Sequence, residues 1–381
     1  MSRRASVVHI TTVHRPFDPR IFHRECVSLA ASGFRTTLIA HADRDEVRDE
    51  VRLVSLGPRR EYRALALRQR VGRARAALRA ALRERADLYH VHDPELISTA
   101  LALKRRTSAR VIYDCHEDNV GYALQKPYIP RPLRRPVAMA VSGYERRAAS
   151  RLDAIVTADS GVRDRFERLG ARAVAVHNFP RLEFFDVPDE IEKSTDLVYH
   201  GSVPAYHLAE CFAIDAALLR RGRPVRWLFF GNVADIERAR TQAADRGAAG
   251  RFTFEGPVPH DRVARRVASA RLGIIPLPDL PKFQHNIPTK LFEFMALRMP
   301  VVLSDLPPSR PFVGDGGCAL MVPPSNADAY AEAILRLLDQ PALCRAMGDE
   351  GRRRVERQYN WELESERLLS LYESLLEGPL A

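Results

Sequence analysis

Several features common in proteins of this size are missing from the 381-residue chain, and each absence narrows its chemistry. No run of about 18 apolar residues occurs, so no spanning helix is expected. The five cysteines, Cys26, Cys115, Cys211, Cys318 and Cys344, are odd in number, far apart and form no CxxC pair. That argues against a disulfide framework or a cysteine-built zinc site and favours a reducing cytoplasm. Glycine is scarce where a dinucleotide would need it. Val7-Val8-His9-Ile10 runs into Thr11-Thr12-Val13-His14-Arg15-Pro16-Phe17-Asp18, and Phe229-Phe230-Gly231-Asn232-Val233 is equally without GxGxxG. No GxxxxGK[ST] loop is present either, so a nicotinamide dehydrogenase and a P-loop ATPase both read poorly. RNP motifs, C₂H₂ spacing and a basic zipper are also missing. The apolar stretch Val7–Ile10 is too short for a secretory core and reads as a first strand.

What is present is the composition of a folded protein, 46% hydrophobic and 28% charged, with enough length for two domains that each bury a core. The net charge of +11 is uneven. Residues 1–180 hold 34 Lys+Arg against 20 Asp+Glu, a net of +14, and residues 181–381 hold 25 against 28, a net of −3. Ten arginines fall between Arg59 and Arg85, among Leu65, Leu67, Val71, Ala74, Leu78 and Leu82 at roughly helical spacing. Three readings stand: a solvated surface helix, docking on an anionic membrane surface or phosphate-bearing lipid, and nucleic-acid binding. Basic charge alone does not separate them.

Short apolar runs alternate with amphipathic stretches through both halves. Strands are expected at Val7–Ile10, Thr36–Ala40, Leu88–Val91, Val111–Tyr113, Ala154–Thr157 and Ala173–Val176, with helices near Ile21–Ser32, Pro94–Lys104 and Gly161–Leu169. A seam without period runs from Asn178 to Ser194. The pattern restarts with strands at Leu197–Tyr199, Val225–Phe230, Arg251–Phe254, Leu272–Pro276, Val301–Leu303 and Ala319–Val322. Helices are expected at Ala209–Arg220, Ala234–Asp245, Asp261–Ser269, Lys290–Leu297, Ala327–Leu338 and Trp361–Leu376. Such alternation specifies an α/β protein with mostly parallel, doubly wound sheets, whose ligands bind beyond the carboxyl ends of the strands.

The richest segment runs from Phe283 to Val302, Phe-Gln-His-Asn-Ile-Pro-Thr-Lys-Leu-Phe-Glu-Phe-Met-Ala-Leu-Arg-Met-Pro-Val-Val. Pro288 and Thr289 read as a helix start. Lys290 and Glu293, three apart, share one face of the first turn. A helix N-terminus favours phosphate, Lys290 adds a cation there, and Glu293 is suited to accept from two ribose hydroxyls. By spacing alone the pair reads first as a surface ion pair. In the N-terminal half, Tyr89-His90-Val91-His92-Asp93-Pro94 and Tyr113-Asp114-Cys115-His116-Glu117-Asp118 each end a short strand. His90 and His92 share a strand face, which with Asp93 would suit a metal. Arg15 and Arg20 lie in the first strand-to-helix loop, where they would reach phosphates or an acidic acceptor, or pair with Asp18 and Glu25.

The segment around Glu293 resembles the donor motif of family-4 retaining glycosyltransferases of the GT-B fold, two glutamates with seven residues between them followed by Ala-x-x-x-Pro-Val. Glu293 takes the second glutamate position and Ala296, Pro300 and Val301 follow it, while His285 stands at the first. Asn286, Pro288, Lys290 and Glu293 fit the Asn-x-x-Pro-x-Lys-x-x-Glu of a branch involved in bacterial surface polysaccharides. Tyr199-His200-Gly201-Ser202 resembles the family's first C-domain loop, with the usual Arg replaced by Ser202 and the usual Lys by His207. Phe254-Glu255-Gly256-Pro257-Val258-Pro259-His260 resembles the loop whose backbone reads the base, and Asn360-Trp361 the end motif. His116 matches a histidine that reaches the transferred sugar.

The resemblance implies two Rossmann-like domains facing a central cleft: an acceptor domain over 1–182, a linker over 183–194, a donor domain over 195–360, and a helix over 361–381 crossing back to the N-terminal domain. It implies glycosyl transfer with retention, from a nucleoside diphosphate sugar, to a hydroxyl on a glycosyl or lipid-linked acceptor. Expected catalytic residues are His116, Lys290 and Glu293. The donor would meet Gly201, Ser202, Gly231, Val258, His285, Asn286, Pro288, Thr289, Lys290 and Glu293, and the acceptor Arg15, Arg20, Asp93 and Glu117. No cofactor, metal or nucleic-acid partner is expected, UDP is favoured over GDP, and the location is cytoplasmic, with the inner membrane face as the docking surface for Arg59–Arg85. The rivals are a nucleotide-sugar 2-epimerase of the same fold and a basic binding protein without catalysis.

Overall fold

The structure is a computed structural model, which describes residues 4–58, 67–125, 129–188, 191–284, 286–314 and 317–377. The chain divides into two compact units, Met1–Asn178 with Glu362–Ala381, and Phe179–Trp361.

The first unit is built on eight strands: β1 Ser6–Ile10, β2 Arg35–Ala40, β3 Glu46–Arg48, β4 Val51–Ser55, β5 Leu88–His92, β6 Arg110–Cys115, β7 Ala154–Thr157 and β8 Ala173–Ala175. They run in the order β3-β4-β2-β1-β5-β6-β7-β8, parallel throughout except for the antiparallel edge pair β3–β4. Near-continuous apolar runs are what a sheet covered on both faces demands. Alternate residues divide between two cores accordingly. Ile39 packs with Val8, Tyr89 and Val111 beneath Ala77 and Ala81 of the helix Leu67–Glu84, while Leu38 and Ala40 pack with Ile21, Phe22 and Cys26. The first crossover begins as a π-helix, Ile21–Cys26, that continues as the α-helix Val27–Ala31. The helix Trp361–Leu376 contributes Tyr372, wholly buried, to this unit.

The second unit has six parallel strands: β9 Thr195–Val203, β10 Trp227–Val233, β11 Phe252–Glu255, β12 Ala270–Ile275, β13 Val301–Ser304 and β14 Ala319–Val322, in the order β11-β10-β9-β12-β13-β14. Trp227, Phe229 and Phe230 are buried on β10, and each such side chain contributes about 1.5–3 kcal/mol relative to exposure. The helix Thr289–Ala296 lies against β12 at Gly273, where an added Cβ would stand 2.6 Å from the Phe294 ring. Among the described residues no helix is long and apolar enough to cross a membrane.

Four features go beyond the sequence expectation. β3 and β4 form an antiparallel hairpin in which β3 is the polar edge and β4 buries Val51 and Leu53. Helices Asn119–Gln125 and Arg131–Ala149 occupy a stretch interrupted by Pro130, Pro132 and Pro136. A further helix, Pro341–Arg357, carries Gly348 against the Arg298 backbone, where a side chain would collide, and Gly351 close against Met295. The seam contains a 3₁₀ turn at Leu182–Phe185.

Candidate functional site

In the second unit, the ends of β9 and β10 and the start of helix Thr289–Ala296 come together. Gly201 and Gly231 are opposite each other in the register and both have positive φ, 90° and 112°. A Cβ on Gly231 would lie 2.5 Å from the Gly201 carbonyl oxygen, so only glycine lets the strands run this close. A Cβ on Gly201 would lie 3.2 Å from Lys290 Cε, so the lysine stem covers the strand end directly. The Lys290 ammonium sits 5.0 Å from the centre of the Tyr199 ring, a cation–π distance. Burial lowers the Lys290 pKa, and Glu293 opposes that shift. Glu293 Oε2 lies 3.2 Å from His200 Nε2. Burial first, and Lys290 second, push His200 down to about 3, so at neutral pH its ring is uncharged beside the lysine.

The remaining donor candidates divide by exposure. Ser202, Asn286 and Thr289 are exposed, and Pro288, the N-cap of the helix, and Val258, in the loop after β11, are half-buried. His285 lies outside the described residues. His207 is buried, with Nδ1 against the Tyr199 hydroxyl, and takes part in the core rather than offering a side chain at the strand end. His200 was not singled out from sequence. Its signal is its place one residue before Gly201.

The first unit gathers a larger polar cluster at the ends of β1, β5 and β6. Arg20 is buried: its guanidinium grips Asp114 with Nε and Nη2 at 3.1 and 3.2 Å, donates from Nη1 to the Val176 carbonyl at 2.7 Å and Asn178 Oδ1 at 3.0 Å, and lies 2.9 Å from Glu25 Oε1. This corrects the acceptor reading of Arg20: its donors are turned into the unit, and Asp114, not Asp18, is its main side-chain partner. Asp18 instead accepts from the Arg20 backbone N–H at 2.9 Å. Arg15 is exposed, as is Glu117.

Asp93 has φ 74° and ψ 135°, a region that costs a non-glycine residue about 1–3 kcal/mol. It is held there by Thr11 Oγ1 at 2.7 Å and by His14 Nε2 at 2.8 Å. His14 also faces Asp18, with Nδ1 3.4 Å from Oδ2. Burial works against its charge, but the two carboxylates outweigh it and raise His14 to about 10. His14 is therefore an imidazolium clamped between Asp18 and Asp93. His116, half-buried, turns Nε2 inward to Asp114 Oδ2 at 3.0 Å and His92 Nδ1 at 3.1 Å. Behind it His9, His90 and His92 are fully buried, and burial drives all three toward the neutral form. Among the described residues two groups could hold a metal, His9 with Glu25, His90 and His92, and His92 with Asp114 and His116. Asp93, the partner expected from sequence for His90 and His92, is occupied by Thr11 and His14.

Residues 19–181 match the family described as Glycosyl transferase 4-like domain, and residues 194–340 that described as Glycosyl transferases group 1. An alpha-D-kanosaminyltransferase of Streptomyces kanamyceticus is 24% identical over 180 residues, 47% of this chain and 45% of that protein, so this match spans less than half the relative's length. A phosphatidyl-myo-inositol mannosyltransferase of Mycolicibacterium smegmatis is 26% identical over 302 residues, 76% of this chain and 71% of that protein. The solved structure of HepE from Anabaena in complex with UDP and glucose shares the fold, with a TM-score of 0.72 at 12% identity over 97% of this chain and 100% of that one.

Proposed function

The chain belongs to the family-4 glycosyltransferases of the GT-B fold, with a 4-like and a group 1 domain in sequence, and from that premise we propose that it transfers a sugar from a nucleoside diphosphate sugar to a hydroxyl acceptor with retention at the anomeric carbon. The observation that carries this reading is the convergence of Gly201, Gly231, Lys290 and Glu293 in the second unit. Glu293 accepts from the ribose hydroxyls. The diphosphate lies on the amides at the start of helix Thr289–Ala296, with Lys290 as the cation that meets charge developing on the leaving group. Ser202, Val258, His285, Asn286, Pro288 and Thr289 complete the donor contacts.

The first unit takes the acceptor, with Asp93, Glu117 and Arg15 as its polar contacts. His116 orients the transferred sugar, its ring fixed by Asp114 and His92. No carboxylate is assigned as a covalent nucleophile. The sugar–phosphate bond breaks as the acceptor oxygen attacks the same face, and the departing diphosphate takes the acceptor proton. Turnover then needs no added divalent ion. The acceptor is a glycosyl or lipid-linked hydroxyl in polysaccharide or glycoconjugate assembly, a reading supported by the lipid-directed mannosyltransferase relative. Arg75, Arg79 and Arg83, spaced four apart on the exposed side of helix Leu67–Glu84, provide the contact with an anionic membrane face.

The HepE complex supports UDP as the nucleotide. A thermal-shift series with UDP, GDP, dTDP and their sugars tests the reading. A ligand at a hundred times its Kd stabilises by about 2.7 kcal/mol. UDP is expected to give the largest shift, and no shift with any nucleotide contradicts the proposal. Product analysis without acceptor separates transfer from epimerisation, since an epimerase converts the donor sugar alone.

A further inference from the structure

We propose that His9, Glu25, His90 and His92 form a structural site for one divalent transition-metal ion of the zinc type, enclosed within the first unit. One ligand atom from each of the four lies within 4.8 Å of all the others, and all four residues are buried to the last percent. His9 Nδ1 and His92 Nε2 are 2.9 Å apart, and each is 3.7 Å from Glu25 Oε2. A tetrahedron with metal–nitrogen bonds near 2.0 Å has edges of about 3.3 Å, so these separations bracket the required value within about 0.4 Å.

A further observation points to a ligand. His90 Nε2 and Glu25 Oε2, both wholly buried, have no hydrogen-bond partner. Leaving such groups unpaired in an apolar interior costs about 1–3 kcal/mol each, and more for a charge.

The outward nitrogens of the same histidines are already held, as metal-bound imidazoles require. The Tyr372 hydroxyl lies 2.5 Å from His90 Nδ1 and 3.1 Å from His9 Nε2. His92 Nδ1 lies 3.2 Å from Asp114 Oδ2. Those contacts leave Nε2 of His90 for the ion, together with Nδ1 of His9 and Nε2 of His92, whose mutual 2.9 Å hydrogen bond the ion would replace. Three imidazoles and one carboxylate suit zinc or cobalt rather than magnesium or calcium, which take oxygen ligands. Four protein ligands and no exposed face make the site closed, so it joins β1, the π-helix Ile21–Cys26 and β5 rather than activating a substrate.

The test uses the full chain. Elemental analysis after gel filtration, and reconstitution of chelator-treated protein with Zn²⁺ or Co²⁺, are expected to give about one ion per chain, with the visible d–d bands of four-coordinate cobalt. Glu25→Gln and His90→Gln are expected to lose the ion. Tyr372→Phe is expected to retain it with affinity reduced about 10–100-fold. His116→Ala, which alters the neighbouring His92–Asp114–His116 group, is expected to leave the stoichiometry at one. Wild-type protein that folds but takes up no zinc and gives no cobalt bands overturns the proposal. So does a Glu25→Gln variant with unchanged stoichiometry, or loss of the ion in His116→Ala alone.

Discussion

A methyl group on Gly231 would stand 2.5 Å from the Gly201 carbonyl oxygen and 2.9 Å from its Cα, on a backbone with φ 112°. Gly231→Ala is therefore expected to cost about 1–3 kcal/mol from strain alone, before the overlap is relieved. Urea denaturation checks it, and unchanged stability would show that the strands can part at no cost. His14 gives a pH signature. Its folded pKa, about 10, exceeds the unfolded value of 6.5. Its contribution is therefore complete below about pH 6.5 and is lost as the pH rises through 10, falling by up to about 1.4 kcal/mol per pH unit. Asp18, held below the ordinary carboxylate range chiefly by hydrogen bonding to His14 against the opposing effect of burial, contributes above about pH 3.8. His14→Asn is expected to flatten the alkaline decline in denaturation midpoints; parallel wild-type and variant profiles would contradict the clamp. At this scale sequence reasoning reached Lys290 and Glu293 because three-residue spacing at a helix start is a local pattern. It did not reach His14 between Asp18 and Asp93, His200 beside Glu293, or Tyr372 against His9 and His90, because those partners meet only after the sheets assemble. Tyr372 and His90 are 282 residues apart.

Among the elements, the buried parallel strands were legible because β1, β5, β7, β13 and β14 are short apolar runs with turn residues on either side. The misses follow from weak periodicity. Prolines masked the helix Arg131–Ala149, and glycines that admit the neighbouring backbone masked Pro341–Arg357. The helix Leu67–Glu84 shows how one basic segment serves two requirements. Ala77 and Ala81 are buried against the sheet, while Arg75, Arg79 and Arg83 face outward. Replacing those three arginines by glutamine is expected to leave thermal stability within about 0.5 kcal/mol per site. Each basic residue near an anionic surface is worth about 1 kcal/mol, so binding to phosphatidylglycerol vesicles is expected to fall about a hundredfold. Vesicle co-sedimentation reads the change. Equal binding by wild type and triple variant would remove this helix from any membrane contact.

At the scale of the whole molecule, the charge is divided unevenly, a net of +14 over residues 1–180 and −3 over residues 181–381. On the proposed reading, a nucleotide site in the acidic half makes its own local positive potential through the start of helix Thr289–Ala296 and Lys290. The account depends on Glu293 holding the ribose of the donor. Calorimetric titration of UDP into wild-type protein and Glu293→Ala tests this directly. Losing a charged acceptor for the ribose hydroxyls costs about 1.5–3 kcal/mol, so the variant is expected to fold normally, with the same far-UV circular dichroism, and to bind UDP about 10–150-fold more weakly. Unchanged affinity in a folded variant would contradict the account.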